Sequence, residues 1–227
     1  MNRLIKNNFA LVLPLLLFFI FGGLIILISE KFALHVFFNG LVKDNISTFF
    51  IYLTYLGDGW IIVCALLIIL FFNLRLFFTC GLSYATSSGI TQGLKNYFFK
   101  GALRPKPFFE QHHQEIKLQL IEGVEIFGEN SFPSGHTTAA FSFFLCLGLI
   151  SNNQITKTIC LIVALLVGLS RIYLSQHFFE DVYAGSVIGS CCAFLFSYIF
   201  YFSEGSGRFN RIDTSMLNFI SQKRKDA

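Results

Sequence analysis

The chain has 227 residues, of which 54% are apolar and 13% charged, with a net charge of +4 and a mean hydropathy of +0.64. In soluble domains about a quarter of the residues are charged. Disordered, collagenous and coiled-coil chains are poorer in large apolar side chains than this chain. The composition therefore excludes those classes and predicts a polytopic membrane protein, and the length favours one membrane-embedded domain over residues 1–227.

The first predicted element is the uncharged, strongly apolar stretch between Lys6 and Glu30. As a helix it is long enough to cross about 30 Å of hydrocarbon. A signal peptide is the alternative, because Arg3 and Lys6 precede the stretch. However, its apolar part exceeds the usual core of a signal peptide and no A-x-A cleavage site follows, so we expect an uncleaved transmembrane helix.

Five more segments are apolar and long enough to cross a membrane: residues 47–72, 76–94, 134–150, 158–174 and 182–202. The segment 76–94 is the least apolar and carries several hydroxyl side chains, which predicts a helix that faces protein rather than lipid. We therefore predict an all-α fold in which six transmembrane helices form a bundle, with both termini on one side of the membrane.

Basic residues that flank these segments predict the orientation, since lysine and arginine in short flanks favour the cytoplasm. The basic residues on the side of the N-terminus are Arg3, Lys6, Arg75, Lys157, Arg208, Arg211, Lys223, Arg224 and Lys225. We therefore expect an integral protein of the bacterial cytoplasmic (inner) membrane with both termini in the cytoplasm. Residues 30–46, 95–133 and 171–181 then face outward.

The tail 207–227 is basic and is predicted to be cytoplasmic. Phe209, Ile212, Met216 and Phe219 recur at helical spacing, which favours an interfacial helix bound to anionic lipid. A solvated tail that frays towards its end is the alternative.

Three polar clusters lie at the outer ends of the predicted helices, and the second of them is Pro133-Ser134-Gly135-His136. Proline suits the first position of a helix, so we expect Ser134, Gly135 and His136 in the first turn of the fourth helix. A helix start offers free N–H groups and a partial positive charge to an anion, and glycine lets the backbone approach it. The pattern indicates a phosphate site, with a merely capped helix as the alternative.

The third cluster contains Ser170, Arg171, His177 and Asp181. Because His177 and Asp181 are 4 residues apart, a helix starting here would place them on one face, where the carboxylate binds one ring nitrogen. The other ring nitrogen is then oriented as a nucleophile or a base. A structural histidine at the membrane interface is the alternative, but ionisable groups at membrane helices are candidates for function.

The first cluster is the basic stretch 95–106, which contains Lys95, Lys100 and Arg104. The planar guanidinium groups of Arg104 and Arg171 each suit two phosphate oxygens. For Lys100, anchoring of the helix end at the membrane surface is the alternative to a role in the site. The cluster therefore predicts cationic ligands for the same anion.

Together the clusters Lys…Arg-Pro, Pro-Ser-Gly-His and Ser-Arg-x5-His-x3-Asp resemble the type 2 phosphatidic acid phosphatase family of integral-membrane lipid phosphatases. The resemblance runs over residues 95–181, and the second and third motifs match fully. The first motif departs from the family pattern, whose lysine stands 7 positions before the arginine, where this chain has Tyr97. We favour Lys95 over Lys100 as the equivalent, which requires a bulge or a helix break at Gly101.

The resemblance implies a site for phosphoryl transfer. His177 would attack phosphorus to form a phosphohistidine, Asp181 would orient His177, and His136 would protonate the leaving oxygen. The implied ligands of the phosphoryl oxygens are Lys95, Arg104, Ser134, Gly135 and Arg171. Water would then release phosphate from the histidine.

The expected substrate is a lipid phosphate or diphosphate whose head group reaches the outer face while its tails stay in the bilayer. The candidates are undecaprenyl diphosphate, phosphatidylglycerophosphate, phosphatidate and a lipid A phosphate, and the outer segment 105–132 is expected to select among them. A lipid phosphotransferase with the same site and a non-catalytic lipid-phosphate binder or transporter are the alternatives. A transporter should carry charges near the membrane midplane, whereas the charges of this chain other than Asp58 cluster at helix ends.

We expect no metal and no cofactor, since basic side chains neutralise the phosphate, and no nucleic acid as a partner. A zinc site at His112 and His113 with Glu110 and Glu115 is the alternative, but this polar loop lacks a convincing fourth ligand and second shell. Asp58 is expected to be structural at the outer interface rather than a substrate contact. The sequence leaves the oligomeric state open.

Overall fold

The computed structural model describes residues 2–216 and 218, and within them the chain is helical without a β-strand. Its α-helices are α1 (Asn2–Asn7), α2 (Phe9–Ile28), α3 (Lys31–Asn39), α4 (Asp44–Thr54), α5 (Gly59–Phe72), α6 (Leu74–Gly93), α7 (Pro105–His112), α8 (Gly135–Ile150), α9 (Gln154–Tyr173) and α10 (Phe179–Ser197). A 3-10 turn joins α4 to α5, and π-helical turns extend α6 and α10. The all-α prediction is confirmed over the described part of the chain.

Among the described residues, three helical stretches are long and apolar enough to cross a membrane: α2, α9 and Phe179–Phe202. The pair Asp44–Gly57 and Gly59–Phe72 passes the same test together and bends by 55°, which makes a fourth span if the pair crosses as one unit. The remaining two predicted segments are helical as α6, which is less apolar, and as α8, which has only 16 residues. Membrane-spanning helices are thus confirmed, while their full number of six stays a prediction.

Helix α8 lies at the centre of the bundle and packs against α6, α9 and α10. Its side chains Phe141 and Leu145 are buried in the core. Helix α10 approaches the backbone of α8 closely, because a Cβ atom on Gly189 would lie 2.5 Å from the Thr138 carbonyl oxygen and one on Gly185 would lie 2.6 Å from that of Ser134. Such small-residue packing is typical of membrane helices, and it places the starts of α8 and α10 side by side.

The hydroxyl side chains of α6 face α8 rather than lipid. Ser83, Ser87 and Thr91 are buried. The Ser83 hydroxyl donates to the Ser142 carbonyl oxygen at 3.2 Å, and the Thr91 hydroxyl donates to that of Thr138 at 3.1 Å. The prediction that this helix faces protein is therefore confirmed for these side chains.

One end of the bundle gathers the starts of α2, α6 and α9 with the end of α10. The buried Lys157 ammonium at the start of α9 donates to the Asn7 carbonyl oxygen at 2.5 Å. The Arg75 guanidinium at the start of α6 donates to the Phe200 carbonyl oxygen after α10 at 3.0 Å. Two of the basic residues that predict the orientation therefore hold together the end of the fold that is predicted to be cytoplasmic.

The beginning of the basic tail packs on this same end. Glu204–Ile212 is a 3-10 helix rather than part of an amphipathic α-helix, and the ring centroids of Phe209 and Phe200 lie 4.4 Å apart. The first part of the tail therefore contacts protein. The rest of the predicted interfacial helix, at residue 217 and residues 219–227, lies outside the described residues.

Candidate active site

The opposite end of the bundle brings the three polar clusters together. The backbone N–H of Ser134, just before α8, donates to the Asp181 carbonyl oxygen in the first turn of α10 at 2.9 Å. The Arg104 guanidinium donates to the side-chain oxygen of Gln176 at 3.1 Å, and the Arg171 guanidinium lies 3.4 Å from the same oxygen. Residues from all three clusters thus surround one site at the ends of α6 and α9 and the starts of α8 and α10.

His177 and Asp181 form the buried centre of this site. The Nδ1 atom of His177 lies 3.4 Å from the Oδ2 atom of Asp181. The same carboxylate oxygen accepts the Ser131 hydroxyl at 2.5 Å and the Phe178 backbone N–H at 2.9 Å. A carboxylate fixed by these donors favours the ring proton on Nδ1, which leaves the lone pair of Nε2 free.

The local structure behind this pair differs from the predicted one. Helix α10 begins at Phe179, so His177 lies in the loop before the helix. Asp181 lies in the first helical turn, where its carboxylate caps the helix by accepting the N–H of Phe178. The prediction that one helix carries both His177 and Asp181 is wrong, because the capping preference of Asp181 starts the helix two residues later.

Residues 171–178, which form the end of α9 and the loop that carries His177, are buried, and α3 contacts this loop. Ser175 has a φ of +51°, which turns the chain sharply after α9. The side chains of His35 and Asn39 on α3 each lie 3.3 Å from the Ser175 hydroxyl. These contacts fix the loop and therefore the direction of the His177 ring.

Three cationic side chains face the site, and each donates a hydrogen bond to a neutral oxygen atom. Arg171 donates to the Thr54 hydroxyl at 2.7 Å, Arg104 to the Glu129 carbonyl oxygen at 3.0 Å and Lys95 to the Asn130 carbonyl oxygen at 2.5 Å. None of the three cations forms a salt bridge within residues 2–216 and 218. Their positive charge is therefore available to an anionic ligand.

Lys95 and Lys100 are placed very differently. Helix α6 continues into the π-helical turn Leu94–Phe98, whose wider winding changes the direction of the Lys95 side chain, and Gly101 ends the helix with a φ of +77°. Lys95 is buried, Lys100 is exposed, and Tyr97 is 85% exposed. Both the bulge and the break that Lys95 requires are thus present, and Lys95 rather than Lys100 lies beside the other cations.

Helix α8 presents its N-terminus to the site. Ser134 is the N-cap, and its side-chain oxygen accepts the hydroxyl of Thr137 at 2.9 Å. Gly135 is the first helical residue, and no other described residue, apart from its chain neighbours and the backbone of its own helix, has an atom within 4 Å of the position that its Cβ would take, so the space there is open. The prediction that Pro133 is the first helical residue is wrong by two positions, because serine is a far better N-cap than the preceding Phe132.

The break between α4 and α5 forms a wall of the site. A side-chain oxygen of Asp58 caps α5, and the Oδ2 atom of the same carboxylate lies 3.9 Å from the Nε2 atom of His136. A Cβ atom on Gly57 would lie 2.7 Å from the His136 carbonyl oxygen, so the turn packs directly on the start of α8. Asp58 therefore has the structural role that was expected, as the cap of α5. Its carboxylate also faces His136, a predicted site residue.

Thr54, Ser131 and Gln176 are polar site residues that sequence reasoning missed. Ser131 and Gln176 adjoin the second and third motifs, and this proximity is a signal that could have identified them. Thr54 lies 117 positions before Arg171, which its hydroxyl contacts, and no motif marks it.

The electrostatics of the site favour a neutral imidazole surrounded by positive charge. Burial, together with Arg104, Arg171 and Lys95, lowers the pKa of His177 well below its ordinary value. Burial, with Arg104 nearby, lowers the pKa of Lys95 to about 8. At neutral pH the His177 ring is therefore uncharged and nucleophilic, and the excess of cations around it suits a phosphate dianion.

His112 ends α7, and His113 is the residue that follows it. His113 lies 3.4 Å from the Glu115 carboxylate, and His112 is exposed. Within the described part of the chain, no group of three or more His, Cys, Asp or Glu side chains is placed to hold a metal ion.

Comparison with known proteins places this site in a family. Residues 72–204 match the PAP2 superfamily. The probable lipid phosphate phosphatase 4 of Arabidopsis thaliana is 27% identical over 142 residues, which are 55% of this chain and 46% of that protein. The lipid A 4'-phosphatase of Porphyromonas gingivalis is 36% identical over 91 residues, which are 37% of this chain and 38% of that protein. The chain thus spans less than half the length of these curated relatives.

Two solved structures share the fold. LpxE of Aquifex aeolicus superimposes with a TM-score of 0.60 and 25% identity, over 74% of this chain and 94% of that one. The PAP2-type phosphatidylglycerolphosphate phosphatase of Bacillus subtilis, a transmembrane protein, superimposes with a TM-score of 0.59 and 22% identity, over 83% of this chain and 94% of that one. The matched residues 72–204 contain all three motifs and more than half of the chain, which confirms the predicted resemblance. The chain is an integral membrane protein and belongs to the PAP2 superfamily.

Proposed function

We propose that the protein is a membrane lipid phosphatase that hydrolyses a phosphate ester of a lipid head group. The observation that carries this proposal is the buried, uncharged His177, which is oriented by Asp181 and faced by three cations that pair with no carboxylate in the described part of the chain. The names of the relatives, lipid phosphate phosphatase and lipid A 4'-phosphatase, support a phosphoric monoester hydrolase that acts on lipids.

In the first step, the Nε2 atom of His177 attacks phosphorus while the bond from phosphorus to the leaving oxygen breaks. His136 donates a proton to that oxygen, so the lipid departs as an alcohol and the phosphoryl group stays on His177. Asp181 stabilises the cationic ring that forms. The groups proposed to hold the phosphoryl oxygens as charge develops are Lys95, Arg104, Arg171, the Gly135 N–H and the Ser134 hydroxyl.

In the second step, the now neutral His136 takes a proton from a water molecule whose oxygen attacks the phosphorus. The bond between phosphorus and Nε2 of His177 breaks, inorganic phosphate leaves, and both histidines return to their starting protonation states. Cationic side chains supply the charge neutralisation in both steps, so this scheme requires no metal ion.

The site is proposed to face outward from a bacterial cytoplasmic membrane. It lies at the end of the bundle opposite to Arg75 and Lys157, and basic residues favour the cytoplasmic side. A lipid head group can then reach His177 while its tails remain in the bilayer.

Phosphate release by the detergent-purified protein tests the proposal, with a panel of lipid phosphates and diphosphates and with EDTA present. We expect release from at least one lipid phosphate at the same rate with and without EDTA. Silence on every lipid, with lipid binding retained, would instead favour a lipid-phosphate binder. Strong inhibition by EDTA would contradict the metal-free scheme.

Replacing Lys95 with methionine is expected to lower kcat/KM for a lipid phosphate about 100-fold, the typical cost of removing one donor to a developing oxyanion. Lys100→Met is the matched control and should leave kcat/KM unchanged, because Lys100 is exposed outside the site. Phosphate release by the two purified variants measures both effects. A larger loss in Lys100→Met would contradict the placement of the phosphate ligand at Lys95.

The pH dependence of kcat/KM is expected to report the ionisation of Lys95. Because its pKa is lowered to about 8, the ammonium loses its proton as the pH rises through that value, and kcat/KM should fall there. Lys95→Arg should abolish this alkaline decrease, since a guanidinium stays protonated. The ionisation of the substrate is the same for both proteins, so an unchanged decrease in Lys95→Arg would contradict the assignment.

A further inference from the structure

A polar cavity lies beside His136, between the start of α8, the break before α5 and one face of α6. Its volume is about 230 Å³. Tyr84, Ser88 and Gln92 line it from α6, where the spacing of four residues places them on one face of the helix. The proposed phosphatase chemistry assigns no role to any of these three side chains.

The cavity adjoins the proposed proton donor and is not lined by the proposed nucleophile. His136 and Gly135 line it, whereas His177 and the cations Lys95, Arg104 and Arg171 do not. In-line displacement at phosphorus places the nucleophile and the leaving oxygen on opposite sides of the transferred group. If His177 attacks and His136 protonates, the group attached to the leaving oxygen extends into this cavity, so the inference rests on the proposed function.

Among the described residues, the cavity wall is polar and contains no lysine, arginine or carboxylate side chain. The side chains of Tyr84, Ser88 and Gln92 have no hydrogen-bond partner within the described part of the chain, so their hydroxyl and amide groups are free to bind a ligand. This lining matches hydroxyl groups and offers nothing to neutralise a second phosphate.

The size of the cavity limits the size of the leaving group that it can bind. At about 30 Å³ for each water molecule, its volume of about 230 Å³ corresponds to roughly eight waters, which is the scale of a glycerol unit or a single sugar ring. The glycines on both sides of Asp58 keep this space open, because a Cβ atom on Gly59 would lie 2.7 Å from the Tyr84 hydroxyl oxygen.

We propose that this cavity binds a hydroxyl-bearing head-group unit, glycerol or sugar, to which the departing phosphate is attached. The preferred substrates are then phosphate monoesters of hydroxylated lipid head groups. Prenyl diphosphates and phosphatidate fit less well, because the group that leaves from them carries a second phosphate or an acylated glycerol without a free hydroxyl.

Two synthetic phosphate monoesters with the same alkyl tail test this proposal, one linked through a glycerol unit with a free hydroxyl and one linked directly to the alkyl chain. The wild-type protein is expected to show a kcat/KM at least about tenfold higher for the glycerol-linked ester, the scale of one or two hydrogen bonds. The double substitution Ser88→Ala with Gln92→Leu should lower this ratio about tenfold. Tyr84→Phe, which removes a single hydroxyl group, should lower it severalfold.

The matched control is Thr86→Val, because Thr86 is exposed on α6 two residues from Ser88 and does not line the cavity. This control should keep the wild-type ratio. Equal kcat/KM values for the two esters in the wild type, or an unchanged ratio in the cavity variants, would overturn the inference while leaving the phosphatase proposal intact. Absence of release from both esters and from every lipid phosphate would overturn the phosphatase proposal, and the inference with it.

Discussion

Replacing His177 with alanine is expected to lower kcat for phosphate release from a lipid by at least about 10⁴-fold. The imidazole is the proposed nucleophile, and Asp181 orients it through Nδ1 at 3.4 Å. Without it the site retains only its cations, which bind the phosphate but form no covalent intermediate. Release of inorganic phosphate at saturating lipid measures the loss.

The matched control is His112→Ala, the same substitution at an exposed histidine of α7. This control should keep full activity. Size-exclusion elution and thermal unfolding establish that His177→Ala is folded, and His177→Gln provides a second variant that refills the space of the buried ring. Wild-type turnover by a folded His177→Ala protein would rule out the proposed nucleophile.

The same variant tests the covalent intermediate. Acid-labile, base-stable phosphate should be trapped on the wild-type protein when a radiolabelled lipid phosphate is mixed and rapidly quenched. His177→Ala should trap none. Label that remains at wild-type level in the variant would place the intermediate on another side chain.

The second large effect is expected for His136→Ala, and it should depend on the leaving group. For an alkyl phosphate, loss of the proton donor should slow release about 10³-fold. A nitrophenolate leaves without a proton, so formation of the phosphohistidine from 4-nitrophenyl phosphate should be slowed much less. Stopped-flow detection of nitrophenol measures this step directly.

Loss of His136 also removes the proposed base of the second step. The variant should therefore release a burst of nitrophenol equal to the enzyme concentration and then turn over slowly. An equal loss of rate for both leaving groups, without a burst, would contradict the acid and base role. The carboxylate of Asp58 lies 3.9 Å from the Nε2 atom of His136, so the kinetics of an Asp58 variant can be compared with those of His136→Ala.

Lys95 shows how far the spacing of residues in the sequence can predict a position in the site. Counting along an ideal helix places position 95 away from the face of Arg104, because nine residues are not a whole number of turns. The structure resolves this conflict with the π-helical turn Leu94–Phe98 and with Gly101 at φ +77°, which together bury Lys95 beside the other cations. The sequence argument required a bulge or a helix break at Gly101, but the position of the bulge depends on the packing of α6.

The errors at Pro133 and His177 have a common cause. One prediction placed a helix start by a favourable proline and the other by the four-residue spacing of His177 and Asp181, without weighing the caps, and both helices begin two residues later. Ser134 caps α8, and the Asp181 carboxylate caps α10 through the N–H of Phe178. Helix starts shift easily because caps differ by only about 1 kcal/mol.

The sequence by itself determined that the chain is a membrane protein and that it is helical, and it identified the three polar motifs for which phosphate chemistry is proposed. Composition and apolar length depend on local hydrophobicity, and residue types such as His177, Arg171 and Asp181 carry their chemistry wherever they are placed. These properties need no knowledge of which helices are neighbours, and the match of residues 72–204 to the PAP2 superfamily agrees with them.

Only the tertiary structure decided which side chains complete the site. Thr54 contacts Arg171, which is 117 positions away in the sequence, and Ser131 donates to the carboxylate of Asp181, which is 50 positions away. The cavity beside His136 exists because α6 and the turn before α5 meet at the start of α8. Each of these contacts depends on the crossing of helices that are far apart in the chain. Helix packing is set by the shapes of whole faces, including the glycines that let α10 approach α8, and no local pattern encodes it.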